Sequence, residues 1–240
     1  MNYEVASVTH QGKVRKSNQD RLLVQQSGAR ALLAVADGMG GLACGEQASG
    51  QIISTLAQRW NKICTADNVE EAARRLDEAI FEAHRRVFYF SEELQKPVGS
   101  TLSALLLWED VYRIKQIGDS RVYCLDADGL EQLTIDQNWY NQMVRTGRLS
   151  PAEAGRNPQR RALVNAVGAS AELEVVTESG VLKAGMCFLL CTDGLYASVD
   201  RSFLTRALAA APAQALDVLL QETLYGPAGD NATAICCRVR

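Results

Sequence analysis

Three acidic residues that could do chemistry stand beside short apolar runs at widely separated points of the chain. They are Asp37, Asp193 and Asp230; the first two each precede a glycine, and the third precedes its apolar run. Runs of this length predict buried strands, so each carboxylate would be delivered at a strand end. Buried carboxylates that come together repel one another and are costly to desolvate. Because no Lys or Arg stands beside Asp37 or Asp193 in the sequence, the predicted positive partner is a hard divalent cation such as Mg²⁺ or Mn²⁺.

Composition limits the classes of protein to which the chain can belong. It has 240 residues, enough for one large domain or two small ones, and its 47% hydrophobic content supports a substantial core. A net charge of −3 and a pI near 5.5 argue against a nucleic-acid-binding surface. The first residues lack the basic and apolar regions of a signal peptide, and no apolar run approaches the roughly 18 residues of a membrane-spanning helix. We therefore expect a cytoplasmic protein with no membrane insertion and no nucleic-acid partner.

The cysteines predict core residues rather than a disulfide framework. There are seven, an odd number, with no Cys-x-x-Cys spacing. This usage is typical of buried, reduced thiols in a cytoplasmic protein. The adjacent Cys236 and Cys237 should face opposite sides of one strand.

The elements that must position the acids follow from periodicity and turn signals. Apolar segments predict strands over residues 3–8, 21–26, 31–36, 101–108, 111–117, 121–125, 173–178, 186–191 and 232–239. Helical spacing predicts helices over residues 44–60, 69–94, 138–148, 150–155, 201–210 and 212–224. Short strands with hairpin connections and helices in pairs favour antiparallel sheets covered by helices over regular βαβ repeats. The polar interval 138–161 is the best candidate for an inserted, mobile segment.

Seven motifs taken together resemble those of metal-dependent protein serine/threonine phosphatases of the protein phosphatase 2C (PPM) type. They occupy residues 12–20, 37–41, 99–102, 118–121, 133–136, 192–195 and 230–233, in the family's order. Each motif alone is weak, because Asp-Gly occurs in many turns, whereas seven in order over nearly the whole chain are specific. Residues 143–151 also resemble the flap segment of bacterial members.

The resemblance implies a fold and a function. The fold is an α/β (α+β) four-layer sandwich, with two central antiparallel β-sheets flanked by pairs of antiparallel helices. It forms a single catalytic domain over residues 1–240, with a small helical flap at about 138–161. The implied function is hydrolysis of phosphoserine and phosphothreonine in proteins by a water activated between two Mn²⁺ or Mg²⁺ ions. The partners are phosphorylated proteins and a separate serine/threonine kinase that the enzyme opposes, and we expect a monomer acting in bacterial signalling.

The resemblance also assigns metal-binding roles. Asp37 would bridge both ions, and the backbone carbonyl of Gly38 would reach the water shell of one. The other implied metal residues are Asp193 and Asp230 for the first ion, Asp20 for the second, and Asp119 for a third, weaker ion. The residues by themselves leave simpler roles open, because aspartates commonly cap turns and Asp119 could fix the turn before Arg121.

Further positions concern phosphate and the surroundings of the metals. Arg15 would bind phosphate through its fork of donors, and Asn231 would orient neighbouring ligands. Gln19 stands where many members have Glu, so the second ion should bind more weakly. Met39 stands where eukaryotic members carry a histidine, their general acid. His84, among charged residues in a helical pattern, is expected on the surface.

Two other functions compete with this interpretation. One is a non-catalytic pseudophosphatase that binds phosphopeptides, which loss of a metal aspartate would favour. The other is a metal phosphoesterase acting on small phosphoesters. Asp37, Asp193 and Asp230 are all present, which favours catalysis.

Overall fold

Strands and helices occur in blocks along the chain rather than in regular alternation. The computed structural model describes residues 1–226 and 228–240. The strands are β1 Tyr3–His10, β2 Asp20–Ser27, β3 Arg30–Met39, β4 Gly99–Ser100, β5 Leu102–Trp108, β6 Val111–Ile117, β7 Arg121–Asp126, β8 Gly129–Gln132, β9 Val176–Val181, β10 Cys187–Cys191 and β11 Ala232–Val239. The helices are α1 Leu42–Cys64, α2 Val69–Leu94, α3 Trp139–Arg145, α4 Pro151–Gly155, α5 Asp193–Tyr196, α6 Arg201–Leu208 and α7 Pro212–Tyr225.

Two antiparallel sheets form the centre of the molecule. One has the strand order β1-β11-β10-β7-β8, and the other has the order β2-β3-β5-β6-β9 with β4 added to β3. Tight connections such as the one between β5 and β6 place sequence neighbours side by side. The edge strand β1 instead pairs with β11, which brings the two ends of the chain together, with Tyr3 opposite Val239.

Three apolar layers hold the sandwich together. Alternate residues of β3 point to opposite sides, so Leu32 packs with α1 and α2, whereas Leu33 packs with Phe188 of the other sheet. On the far side of that second sheet, Leu189 packs with Leu216 of α7. The layers are therefore helices, sheet, sheet and helices, and the fold prediction is confirmed.

Most element boundaries agree closely with the prediction, but two differences concern the site: β3 is longer than predicted, and α5, which begins at Asp193, was not predicted. The predicted bounds 69–94, 111–117 and 232–239 are those of α2, β6 and β11. The sequence predicts that Asp37 follows the end of its strand. β3, however, continues to Met39, so Asp37 lies within the strand. The last predicted strand before β10 is also shifted, from 173–178 to Val176–Val181.

The prediction that His84 lies on the surface is wrong. His84 is only 4% exposed, and its Nδ1 accepts a hydrogen bond of 3.0 Å from the backbone N–H of Gly168. It belongs to the buried stripe of α2 with Ile80 and Val87, at spacings of four and three residues. The charged residues that misled the prediction lie between these positions. Burial lowers the pKa of His84, which therefore favours the neutral ring.

The prediction of buried cysteines holds for five of the seven in the described chain. Cys236 and Cys237 face different apolar layers, as predicted. Cys44 and Cys64 are partly exposed, while the other thiols are buried, and all seven are free. Within residues 1–226 and 228–240, no helix is long and apolar enough to cross a membrane.

Candidate functional site

The strand register brings acids from both ends of the chain to one edge of the sandwich. Asp20, the first residue of β2, lies directly opposite Asp37 of β3. Asp193 begins α5 two residues after β10, and Asp230 comes two residues before β11. Because β10 and β11 are antiparallel neighbours, with Cys191 opposite Ala234, these last two acids emerge at the same edge.

Two glycines of the site are required by close backbone approach. A Cβ atom on Gly38 would lie 1.9 Å from the carbonyl oxygen of Gly45 in α1. A Cβ atom on Gly194 would lie 2.0 Å from the carbonyl oxygen of Asn231. Both separations are far below van der Waals contact, so a side chain at either position would displace the neighbouring acid.

Two threonines that the sequence analysis did not single out hold the acids in place. The hydroxyl of Thr192 donates to Oδ2 of Asp20 at 2.8 Å and is itself buried. Thr101 accepts from the backbone N–H of Asp37 at 2.9 Å through its own hydroxyl oxygen. Thr101 belongs to the motif at residues 99–102, and Thr192 to the motif at residues 192–195. Membership in these motifs was the sequence signal that could have identified them. The acids are thus oriented by bonds from neighbouring strands.

Burial and mutual repulsion make the cluster unfavourable as a set of free carboxylates. Burial raises the pKa of Asp20 to about 6 and that of Asp119 to about 7, with a further contribution from the charge of Asp193 in each case. The pKa of Asp37 is raised well above its ordinary value by burial and by the charges of Asp20, Asp193, Asp230 and Asp119. Burial and Asp230 also raise the pKa of Asp193. A positive ion would relieve this repulsion.

The donor set fits hard divalent cations in its chemistry. Oδ1 of Asp20 and Oδ1 of Asp193 are buried and have no hydrogen-bond partner within the described residues. Unpaired buried carboxylate oxygens are costly unless a cation or a donor satisfies them. In the same described part of the chain, however, no three acidic, histidine or cysteine side chains are gathered closely enough to hold one ion. The acids share one site without forming a closed ligand shell.

Arg15 forms an ion pair with one of the acids. Its guanidinium donates to Oδ2 of Asp230 at 2.7 Å, and both side chains are partly exposed, at 48% and 37%. The hydrogen bond to Asp230 raises the pKa of Arg15, and the charges of Asp37 and Asp193 contribute to the same direction. The residue predicted to bind phosphate therefore lies at the acids, paired with one of the predicted metal ligands.

Asn231 connects the first motif to the last. Its Oδ1 accepts from the backbone N–H of Gln19 at 2.8 Å. Its Nδ2 donates to the carbonyl oxygens of Gln11 and Ser17 at 2.8 and 3.0 Å. These contacts support the predicted orienting role, since they fix the loop that carries Arg15 against the strand that follows Asp230. Gln19 itself lines the cleft beside Asp37 and Gly38.

Asp119 lies at the border of the cluster, in a network that sequence reasoning missed. Tyr196 donates to the backbone carbonyl of Asp119 at 3.0 Å, and the guanidinium of Arg121 stacks 3.7 Å from the Tyr196 ring centre. Arg121 in turn makes two hydrogen bonds, of 2.9 and 2.7 Å, to the buried Asp136. The alternative role of Asp119 in fixing the turn before Arg121 remains compatible with this geometry.

Met39, which stands where eukaryotic members carry a histidine, lines the cleft with Arg15 and Asp37. His10 is the last residue of β1, and its Nδ1 accepts a hydrogen bond from the N–H of Gly12 at 2.9 Å. The histidine is thus engaged in shaping the first loop.

Comparison with known proteins agrees with this fold. The chain is 30% identical over 190 residues to the serine/threonine phosphatase stp of Listeria innocua, covering 78% of this chain and 75% of that protein. It is 33% identical over 238 residues to the serine/threonine protein phosphatase PstP of Mycobacterium tuberculosis, covering 98% of this chain but 44% of the longer relative. The crystal structure of that phosphatase superimposes with a TM-score of 0.86 at 32% identity, over 99% of each chain.

The fold is that of a protein phosphatase. The family model for protein phosphatase 2C matches residues 9–224, and the chain belongs to the protein phosphatase 2C family. A structure of the PstP catalytic domain in complex with two manganese ions has a TM-score of 0.83 and 31% identity to this chain, and covers 99% of it.

Proposed function

We propose that this protein hydrolyses phosphoserine and phosphothreonine in proteins, using two Mn²⁺ or Mg²⁺ ions. The observation that carries the proposal is the cluster of buried carboxylates with unpaired oxygens at the meeting edges of two sheets, in a member of this family. The direct test is phosphate release from phosphothreonine peptides in the presence of Mn²⁺ and in the presence of chelator.

Different acids are assigned to different ions. We assign Asp37 to both ions, Asp193 and Asp230 to the first, and Asp20, with the carbonyl of Gly38, to the second. Asp119 would hold a third, weaker ion. When bound, two such ions lower the pKa of a water between them and neutralise charge on the phosphoryl oxygens. Thr192 and the strand pairing keep Asp20 turned toward Asp37 throughout.

Arg15 is assigned to the phosphate of the substrate. The N–H donors of a guanidinium match two phosphate oxygens. A dianionic phosphate is therefore a stronger partner for Arg15 than the single carboxylate of Asp230. Asp230 and a phosphate compete for the same donors, while Asp230 is also needed as a ligand. We therefore expect Arg15 and Asp230 to separate when substrate and ions are bound.

The comparisons favour catalysis over binding alone. All five acids are retained, and both relatives described above are phosphatases. We further propose one domain over residues 1–240 with a flap at about 138–161, a monomer, and a cytoplasmic role in bacterial signalling opposite a separate kinase. The short backbone bond from Trp139 N–H to the Ala162 carbonyl, 2.8 Å, supports the flap assignment because it closes the base of that segment.

Gln19 offers a test of the second ion. The Gln19→Glu variant should reach half-maximal activity at a lower Mn²⁺ concentration, because hard cations prefer charged oxygen ligands. The turnover number should change much less, since Asp37, Asp193 and Asp230 are untouched. Titration by activity and by calorimetry measures both quantities.

A matched control for this variant is Gln11→Glu. Gln11 lies in the same loop, and its side chain donates to the Arg15 carbonyl instead of lining the cleft. An unchanged or higher metal requirement in Gln19→Glu would place Gln19 away from the second ion, or show that its amide already suits the ion's water shell.

The flap carries five exposed arginines. They are Arg145, Arg148, Arg156, Arg160 and Arg161. The charge of Arg161 is near enough to lower the pKa of Asp193 against the dominant effect of burial, and a cleft beside Asp136 is lined by Arg160 and Arg161. A positive surface next to the cluster can guide phosphorylated proteins toward it.

Neutralising these five arginines should impair turnover of a phosphoprotein more than turnover of a small aryl phosphate. The reason is reach, because a small ester fits within the metal centre, whereas a protein must also lie across the adjoining surface. The measurement compares kcat/KM for both substrates. Neutralising exposed arginines of α2, such as Arg74 and Arg85, is the control for net charge. Equal losses on both substrates would remove the flap from substrate selection.

A further inference from the structure

Two thiols lie in contact on neighbouring strands, away from the acid cluster. Cys187 begins β10 and Cys236 lies in β11, and their sulfur atoms are 3.5 Å apart. The register pairs Cys187 with Arg238 and Leu189 with Cys236, so the two cysteines are diagonal neighbours. Both side chains belong to the layer facing α6 and α7. Cys187 lies at the end of β10 opposite to the one that leads to Asp193.

A half-buried arginine, Arg238, adjoins this pair. One terminal nitrogen of Arg238 donates to the carbonyl oxygens of Leu208 and Ala210 at 2.6 and 2.7 Å, which anchors the guanidinium at the end of α6. Its Nε is buried and has no hydrogen-bond acceptor of normal geometry within the described residues. The positive charge is therefore held beside Cys187 by backbone groups that do not neutralise it.

The environment of Cys187 differs from that of the other buried thiols. The hydrogen bond with Cys236, together with Arg238, lowers the pKa of Cys187 despite its burial. Burial instead raises the pKa of Cys191 and of Cys237 to about 12. Since the thiolate is the reactive form of cysteine, Cys187 is the buried sulfur best prepared to act as a nucleophile.

A surface cavity gives access to this position. It has a volume of about 340 Å³ and is lined in part by Asp126, Lys183, Cys187, Leu208 and Arg238. The bases Lys183 and Arg238 and the acids Asp126 and Asp128 all line it, and Arg238 is the charge that acts on the Cys187 thiol. Only 1% of the Cys187 surface is exposed, so a small oxidant reaches its sulfur from this cavity through local movement of the lining residues.

We propose that Cys187 and Cys236 form a dithiol modification site, which a hydroperoxide oxidises to an intramolecular disulfide. The sulfur of Cys187 attacks one oxygen of the peroxide; an S–O bond forms, the O–O bond breaks, and the thiol proton leaves with the alcohol or water released. The sulfur of Cys236 then attacks the resulting sulfenic acid of Cys187. An S–S bond forms, and the hydroxyl group leaves as water with the proton of Cys236. Two thiols are oxidised and one peroxide is reduced.

The strand geometry sets the character of this disulfide. The sulfur atoms must approach from 3.5 Å to about 2.05 Å. Diagonal neighbours in an antiparallel pair have Cα atoms about 7–8 Å apart, at or beyond the upper end of the disulfide range. Closure therefore requires a shift of β10 against β11, and a thiol reductant should reverse it readily.

Hydrogen peroxide is the probe, applied to the intact chain under native conditions and followed by alkylation and peptide mapping. The expected main product has lost two hydrogens and contains one cross-linked peptide joining Cys187 to Cys236, which dithiothreitol removes. Cys187→Ser should abolish the cross-link. Cys191→Ser should preserve it, because Cys191 lies on the same strand and in the same apolar layer and has no sulfur partner.

A second measurement keeps the test decisive if Cys187→Ser does not fold. In Cys236→Ala the sulfenic acid of Cys187 has no resolving thiol, so dimedone should label Cys187 in the folded protein. Oxidation confined to the partly exposed Cys44 and Cys64 would overturn the proposal. So would a Cys187–Cys236 cross-link that forms only in denaturant. Phosphatase activity does not enter either measurement, so the outcome is independent of the proposed function.

Discussion

Removal of divalent cations should abolish the phosphatase activity of this protein, and addition of Mn²⁺ should restore it. The acids carry no chemistry of their own toward a phosphate, since anionic carboxylates repel the anionic phosphate. They become useful only when positive ions join them, and Asp20 and Asp193 each keep a buried oxygen unpaired. Full activity in a preparation shown to be metal-free would refute the two-metal mechanism.

Substitution of different acids should reduce the phosphatase activity by different factors. Asp37→Asn removes the carboxylate assigned to both ions, so its activity should fall by more than the roughly 10–100-fold that loss of an outer group costs. Asp119→Asn should stay within that range, because Asp119 lies at the border of the cluster and its backbone is held by Tyr196 in either variant. Both substitutions preserve size, which makes each the control for the other. Equal losses would contradict the ranking.

Thermal unfolding provides a readout that needs no substrate. Ligand binding at about 100 times the dissociation constant stabilises a folded protein by about 2.7 kcal/mol. For a chain of this size that corresponds to a rise in Tm of roughly 5–10 °C. The wild type should show this rise with Mn²⁺, and Asp37→Asn should lose most of it. A normal rise in Asp37→Asn together with low activity would mean that the ions bind elsewhere.

The second large effect is expected from Arg15→Ala. Loss of a charged hydrogen-bonding partner costs about 1.5–3 kcal/mol, so KM for a phosphopeptide should rise roughly 10- to 150-fold. The turnover number should fall less if the contact is made equally in the ground state and the transition state. Steady-state kinetics with a phosphothreonine peptide at saturating Mn²⁺ measures both.

Lys13→Ala is the matched control, since it removes the same charge from the same exposed loop without a bond to Asp230. Arg15→Ala also frees Asp230, so its Mn²⁺ requirement should not increase. An unchanged KM would exclude Arg15 from phosphate binding. A higher Mn²⁺ requirement at unchanged KM would instead make the Arg15–Asp230 pair a support for the metal ligands.

Local residue patterns were enough to predict most helices and strands and the metal chemistry of the acids. Local periodicity defined α2, β6 and β11 to the residue, because the solvent-facing and core-facing sides of an element leave their pattern in consecutive residues. The acids beside apolar runs, together with the order of the motifs, predicted a metal centre. Predictions that depended on short-range signals therefore needed little correction.

Tertiary structure alone decided which distant residues meet. Arg15 and Asp230 are 215 residues apart, and nothing near either one predicts their ion pair. The extension of β3 past Asp37 depends on pairing with Asp20 and with β4, and the burial of His84 depends on the N–H of Gly168. The contact between Cys187 and Cys236 follows from the register of two strands. Each of these is set by long-range packing, which local residue patterns do not encode.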